Sequence, residues 1–255
     1  MQPENALDSW RDWSAGLRSR PEIIGRLGGG RSNHSLLLDT SIGKLVLRVN
    51  GAGVFLPGAD RGDEASIWRA ASRHGIAPPL VFADAGNRYL VSRYIESNLP
   101  TDARADAMVQ DLAFGLLESC HRMEVRAPVI DYAGHIEHYW QLIETSTRPA
   151  DPALALQRAP MRAVVASLAA SGAPAGLCHH DPVIENFVGS RDRLYLIDWE
   201  YAAAGLQIMD WAALATEWQI DDQTMLARTG FDPEHLEMAK ALYSYTCALW
   251  EEATA

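Results

Sequence analysis

The stretch His179-His180-Asp181-Pro182-Val183-Ile184-Glu185-Asn186, followed by Leu194-Tyr195-Leu196-Ile197-Asp198-Trp199-Glu200, decides the reading of this chain. It sets an aspartate, an asparagine five positions later and a second aspartate beyond a gap that fits a hairpin. Phosphoryl transfer has a physical use for each. A carboxylate beside an acceptor hydroxyl orients it and takes its proton, while an amide oxygen and a second carboxylate hold Mg²⁺ against nucleotide phosphates. Magnesium prefers hard oxygen ligands and keeps water, so two protein ligands plus phosphate oxygens suffice. Either half recurs by chance in polar loops; joined at this distance the two are specific.

Outward from this segment the chain changes character once. Upstream, Leu7, Trp10, Trp13 and Leu17 fall at helical spacing and predict an amphipathic helix over Pro3 to Leu17. Short apolar runs bounded by turn formers then predict strands over Glu22 to Leu27, Ser35 to Leu38 and Leu45 to Val49. A helix over Asp63 to Arg73, stopped by Pro78-Pro79, is followed by strands near Pro79 to Ala83 and Tyr89 to Tyr94. From Asp102 onward the pattern is helical, with Met108, Leu112, Leu116 and Leu117 on one apolar face and Met161, Val165 and Leu168 on another. The interruption is Gly176 to Trp199, where Leu194 to Asp198 reads as a strand. The expectation is an α+β fold of two lobes: residues 1–97 as a small antiparallel-sheet lobe and 98–255 as a larger, mostly helical lobe. Their junction near Ser92 to Pro100 would leave a cleft, the usual home of a small-molecule site.

The composition is that of an ordinary globular enzyme, with 48% hydrophobic and 22% charged residues and no apolar run long enough to span a bilayer. A start of MQPENALDSWRDW lacks the basic and apolar regions of a signal peptide, so a cytoplasmic location is expected. Cys120, Cys178 and Cys247 are far apart and form no CxxC pair, which suits reduced thiols used for packing. A net charge of −11 argues against nucleic acid as a partner, because phosphate-backbone affinity comes from clustered Lys and Arg. It is compatible with a cationic small substrate. Neither a repeat nor a basic patch supports a scaffold role.

HHDPVIEN followed by LIDWEY resembles the HxDxxxxN and IDWE pair of the choline, ethanolamine, thiamine and aminoglycoside kinase superfamily, relatives of the protein kinases, and the resemblance covers nearly the whole chain. It implies a bilobal protein-kinase-like fold and an ATP- and Mg²⁺-dependent phosphotransferase with a small alcohol as acceptor. Carried over by motif, it makes Asp181 the catalytic base, Asn186 and Asp198 the metal ligands, and His179 a structural brace of the loop. His180 replaces a glycine or asparagine, and solvent exposure is the expected fate of its side chain. Gly28-Gly29-Gly30-Arg31-Ser32-Asn33 resembles the loop over the nucleotide phosphates, so Gly28, Gly29, Gly30, Ser32 and Asn33 are nucleotide candidates; alone, the glycine triplet reads as a turn. Arg48 falls where the family places its phosphate-binding basic residue, with Lys44 as the rival, and Glu64 matches that residue's acidic partner; a solvated strand arginine and a surface glutamate are the plain alternatives.

Beyond Asp198, DWEYAAAGLQIMDWAALATEW is similar to the choline-kinase-like members. Asp210 corresponds to an aspartate that braces the catalytic loop, and simple N-capping of the next helix would also explain it. Glu217 and Trp218, with Trp250 from the C-terminal helix, match a glutamate and aromatics that hold an ammonium by charge and cation–π attraction. Cys247 stands where a second C-terminal aromatic would be, which suggests an incomplete cage; core packing is the competing explanation for both tryptophans. The resemblance thus favours choline or ethanolamine as acceptor, ahead of thiamine and of an aminoglycoside. Loss of the base or metal ligands would instead have marked a catalytically silent binding module, and all three are present.

Overall fold

A computed structural model describes residues 3–28, 33–51 and 61–254. The chain is α+β. Its first part is built on an antiparallel sheet of β1 (Glu22–Arg26), β2 (Asn33–Asp39), β3 (Leu45–Asn50), β4 (Leu80–Ala83) and β5 (Tyr89–Arg93), in the order β1-β2-β3-β5-β4. The connections β1-β2-β3 and β4-β5 are hairpins, while α2 (Arg61–Arg73) leads from β3 towards β4. Alternation along β2 and β3 buries Leu36, Leu38, Leu45 and Leu47 beneath one face, where they meet Leu7, Trp10, Trp13 and Leu17.

Those four apolar residues are buried as their spacing implies, but not on one helix. Only α1 (Pro3–Leu7) and a 3₁₀ turn at Trp10–Asp12 form. Ser9 ends α1 by donating its hydroxyl to the Ala6 carbonyl at 2.9 Å, a local bond that competes with helix continuation. Trp13 Nε1 then reaches the Tyr89 hydroxyl at 3.2 Å, so tertiary contacts with the sheet set the path of this segment.

The second part carries α3 (Ala107–His121), α4 (Tyr132–Thr145) and α5 (Pro152–Ala170), then β6 (Ala175–Cys178), the hairpin β7 (Phe187–Ser190) and β8 (Arg193–Leu196), β9 (Ala203–Leu206), and α6 (Gln207–Trp218), α7 (Asp222–Thr229) and α8 (Pro233–Thr254). Aspartates cap several of these helices: Asp106, Asp131, Asp151 and Asp221 each accept backbone N–H groups of the first turn. α8 packs against α4, α5 and α6, and α2 lies against the Trp199–Tyr201 turn. The connector after β5 is tied to the hairpin, with Asn98 N donating to Gly189 O at 2.7 Å, while Leu196 N donates to Ile76 O at 2.8 Å beyond α2. These bonds hold the β7–β8 hairpin against residues that close the sheet-rich part. Among the described residues no helix is long and apolar enough to cross a membrane.

Candidate active site

β6 delivers the chain into the loop of residues 179–186. His179 is fully buried, packs edge-on against Trp199, and its Nε2 bonds the Ile197 carbonyl at 3.0 Å. Burial lowers its pKa to about 4, so the ring is neutral and Nε2 donates. Asp210 lies in the first turn of α6. Its Oδ2 accepts His179 N at 2.9 Å and its Oδ1 accepts His180 N at 2.7 Å, while His121 Nε2 bonds Oδ2 at 2.9 Å. The position before α6 is Leu206, so Asp210 does not N-cap that helix; its oxygens serve the loop. Burial opposes its ionisation, but these donors win and hold its pKa at about 2. Cys178 lies close enough to His121 and Asp210 for three buried metal-ligating groups to cluster, yet both Asp210 oxygens are already bonded within the protein.

His180 does not face solvent. Its backbone is left-handed, with φ of 64°, and its half-buried ring bonds Tyr201 O through Nδ1 at 3.1 Å and the Tyr132 hydroxyl through Nε2 at 3.0 Å. The left-handed turn aims the next residue, Asp181, into a cavity of about 690 Å³ shared with Asn186 and Asp198. Asn186 donates Nδ2 to the Asp181 carbonyl at 2.9 Å and to Asp181 Oδ2 at 2.8 Å. Asp181 Oδ1 and the Asn186 amide oxygen take no part in these bonds. Enclosure raises the Asp181 pKa to about 7, and the neighbouring Asp198, Glu200 and Glu217 push the same way. Asp198, after β8, is also left-handed with φ of 64°, an infrequent state for a side-chain-bearing residue.

Ion pairs link Asp198 to the sheet-rich part. Arg48, buried on β3, donates Nη1 to Asp198 Oδ1 at 2.9 Å and Nη2 to Glu64 Oε1, with its guanidinium near the Trp68 ring. Arg48 Nε is buried without a hydrogen-bond partner. Lys44, the rival basic residue, sits exposed before β3 near the Tyr94 ring. Arg61 joins Glu64 Oε2 and Glu200 Oε2, each at 2.9 Å, and donates to Asn33 Oδ1 at 3.0 Å; Asn33 Nδ2 completes the circuit to Glu200 at 3.0 Å. Arg61 and Glu200 received no role from the sequence, since nothing local marks a partner more than a hundred residues away. Gly28 is exposed at the end of β1, while Gly29, Gly30 and Ser32 lie outside the described residues.

The same cavity is walled by Glu217 from α6, Tyr243 and Trp250 from α8, Tyr139 from α4, and Tyr201. Tyr243 donates its hydroxyl to Glu217 Oε1 at 3.0 Å. Trp218 is not part of this wall: it is buried, donates Nε1 to Pro182 O at 3.2 Å, and meets Phe187 edge to face. Its position next to Glu217 on a helix turns it about 100° away, into the core beneath the loop. Cys247 lines the cavity, as do the rings of Tyr139, Tyr201 and Tyr243. Tyr243 lies four residues before Cys247 and seven before Trp250, a helical spacing that could have revealed it.

The chain belongs to the phosphotransferase enzyme family (APH), whose model matches residues 23–242. Protein LicA of Haemophilus influenzae is 27% identical over 195 residues, which span 74% of this chain and 56% of that protein. This chain therefore covers little more than half the length of that curated relative. Among solved structures, choline kinase LicA from Streptococcus pneumoniae superposes with a TM-score of 0.74 at 25% identity, over 90% of this chain and 86% of that one. A choline/ethanolamine kinase family protein from Mesorhizobium loti gives a TM-score of 0.70 at 24% identity, over 92% and 80% of the two chains, a likeness of fold.

Proposed function

We propose that this chain transfers the γ-phosphoryl group of ATP to the hydroxyl of a small cationic amino alcohol, choline or ethanolamine. The observation that carries the reading is one cavity lined by Asp181, Asn186 and Asp198 together with Glu217, Tyr243, Trp250 and Tyr139. A carboxylate set among aromatic faces attracts an ammonium group by charge and by ring quadrupoles, and does little for a neutral alcohol. Residues 1–97 form the nucleotide-binding lobe in this reading, and residues 98–255 carry the base and the acceptor pocket.

The residues present fit Mg²⁺ and nucleotide. Asn186 keeps its amide oxygen free of protein bonds and Asp198 offers a carboxylate, a hard-oxygen set suited to magnesium rather than to softer metals. Arg48 would bind phosphate oxygens, and its buried, unpartnered Nε is a donor that such an oxygen would satisfy. The metal, held by Asn186 and Asp198, would supply charge neutralisation at the phosphates. Asp181 then does the work assigned to protein side chains. With Oδ2 held by Asn186, the carboxylate presents Oδ1 to the acceptor hydroxyl, orients it for in-line attack and receives its proton. Glu217 and the rings fix the ammonium so that the hydroxyl lies at Asp181.

A coupled assay of ADP release tests the proposal with choline, ethanolamine, thiamine and kanamycin as acceptors. Turnover with choline or ethanolamine well above that with the other two is expected. Turnover confined to thiamine or kanamycin would overturn the acceptor assignment, and no acceptor-dependent release with any of them would overturn the function.

A further inference from the structure

The cavity has more wall than the proposed transfer to a two-carbon amino alcohol uses: His135 of α4, His180, Tyr132, Ile130 and Met209 also line it. His135 is 7% exposed, and its Nε2 is buried with no hydrogen-bond partner. Its neighbour His180 differs, since both ring nitrogens of that residue are bonded, to Tyr201 O and to the Tyr132 hydroxyl. His135 and Asp181 line the same cavity, and the titratable groups acting on His135 are its neighbours His180 and His138.

This stretch of wall is built rather than left over. β9 passes directly beneath it at Gly205, where a Cβ would stand 2.5 Å from the Tyr132 hydroxyl and 2.9 Å from His180 Nε2. Only glycine lets the strand approach this closely while Tyr132 and His180 keep their bond. The His135 ring is held against Tyr139, with centroids 4.6 Å apart, so its orientation is fixed by packing. Burial, reinforced by His180 and His138, lowers the His135 pKa to about 3, and the imidazole is neutral in ordinary conditions. A neutral ring does not repel a cationic acceptor, and its buried Nε2 costs free energy until something bonds it.

We propose that His135 is a specificity-determining residue that hydrogen-bonds a second, neutral polar group on the acceptor, so that the preferred acceptor is a cationic alcohol extended by an amide- or hydroxyl-bearing arm. The proposal rests on the function proposed above and adds the far half of the substrate. Alkyl arms of the same length would reach Nε2 and leave it unbonded, and a site built to bond a polar group rejects the analogue that lacks it.

Three probe acceptors test this in the full chain with ATP and Mg²⁺: choline, (2-carbamoylethyl)(2-hydroxyethyl)dimethylammonium, and its butyl counterpart, in which a methyl group ends the arm. Each carries one phosphorylatable hydroxyl. The carbamoyl probe should exceed the butyl probe in kcat/KM by about tenfold or more, the worth of one hydrogen bond to an otherwise unsatisfied buried group. In His135→Phe that advantage, read as the ratio between the two extended probes, should vanish through a raised KM for the carbamoyl probe, with the KM for ATP unchanged. His135→Gln, which restores a hydrogen-bonding amide, should recover part of it. Equal kcat/KM for the two extended probes in the unmodified protein would overturn the proposal and show that water alone satisfies Nε2. A uniform loss across all three probes in both variants would overturn it as well, by marking His135 as structural. Turnover of choline distinguishes these failures from failure of the function itself: without turnover of choline or either extended probe, both readings fall together.

Discussion

Tyr243 of α8 donates its hydroxyl to Glu217 Oε1 of α6 at 3.0 Å, which fixes a carboxylate at the wall of the cavity that holds Asp181. One oxygen of Glu217 is bound to the protein, and in the proposed function the other takes the cation. Glu217→Gln keeps the shape and removes the charge. The KM for a cationic acceptor should then rise by about tenfold or more, in line with loss of one charge-assisted contact, while the KM for ATP changes by less than about twofold. Steady-state kinetics with choline and ethanolamine check this, and an equal rise for ATP would remove Glu217 from the acceptor pocket.

Asp181 is anchored through one oxygen by Asn186, so Asp181→Asn leaves a side chain of the same size in the same place without a proton acceptor. Turnover should fall by about 10²–10⁴-fold, the usual worth of a general base, with nucleotide binding retained. Isothermal titration with ADP alongside the rate measurement separates the two effects. Comparable turnover in the variant would end the assignment of Asp181 as base.

Arg48 sits between Glu64 and Asp198, and only a planar fork can meet both at once. Arg48→Lys keeps the charge and loses the geometry, so the KM for ATP should rise about tenfold or more, with little change for the acceptor. Glu64→Gln strips a buried charge from both Arg48 and Arg61 and should destabilise the fold by about 3–5 kcal/mol in urea unfolding. An unchanged KM for ATP in Arg48→Lys would count against its role at the phosphates.

Buried neutral histidines tie stability to pH. His179 and His135 have folded pKa values of about 4 and about 3, far below the ordinary value of 6.5, because burial disfavours their charged forms. Below about pH 6.5 the unfolded chain takes up protons that the folded protein refuses, so their stabilisation is complete above that pH and declines as pH falls towards 4. The raised Asp181 carboxyl works in the opposite sense over the same window, because there the folded state holds the extra proton. His135→Phe isolates one proton of this balance. Across pH 6 to 4.5 the slope of unfolding free energy against pH should become shallower by about 1.4 kcal/mol per pH unit than in the unmodified protein. Urea titrations at several pH values measure it, and identical slopes would mean that His135 is not buried neutral.

Much of this fold was legible because its signals are local. Short apolar runs between turn formers marked β2 and β3, and the motif that joins Asp181, Asn186 and Asp198 names three residues that line one cavity. What failed needed tertiary information. Leu7, Trp10, Trp13 and Leu17 share a face, yet Ser9 breaks their helix and Tyr89, eighty residues on, sets the path. Trp218 and Glu217 are adjacent in sequence and so point to different surroundings, one under the loop and one into the cavity. Arg61 and Tyr139 carry no motif of their own, and Tyr201 closes the LIDWEY stretch with no role attached to it. They matter through Glu200, Asn33 and the rings of α8, and periodicity within one segment says nothing about partners on another.

The grip of Asp210 on two successive amides has a consequence for how the loop takes shape. The carboxylate lies thirty and thirty-one residues after the amides it orders, on a helix that forms from a later part of the chain. Without α6 the amides of His179 and His180 have no such acceptor, and the left-handed turn that points Asp181 into the cavity keeps only the His180 ring bonds to Tyr201 and Tyr132. The shape of the loop is therefore set from downstream: its two successive amides gain their shared acceptor only once α6 is in place.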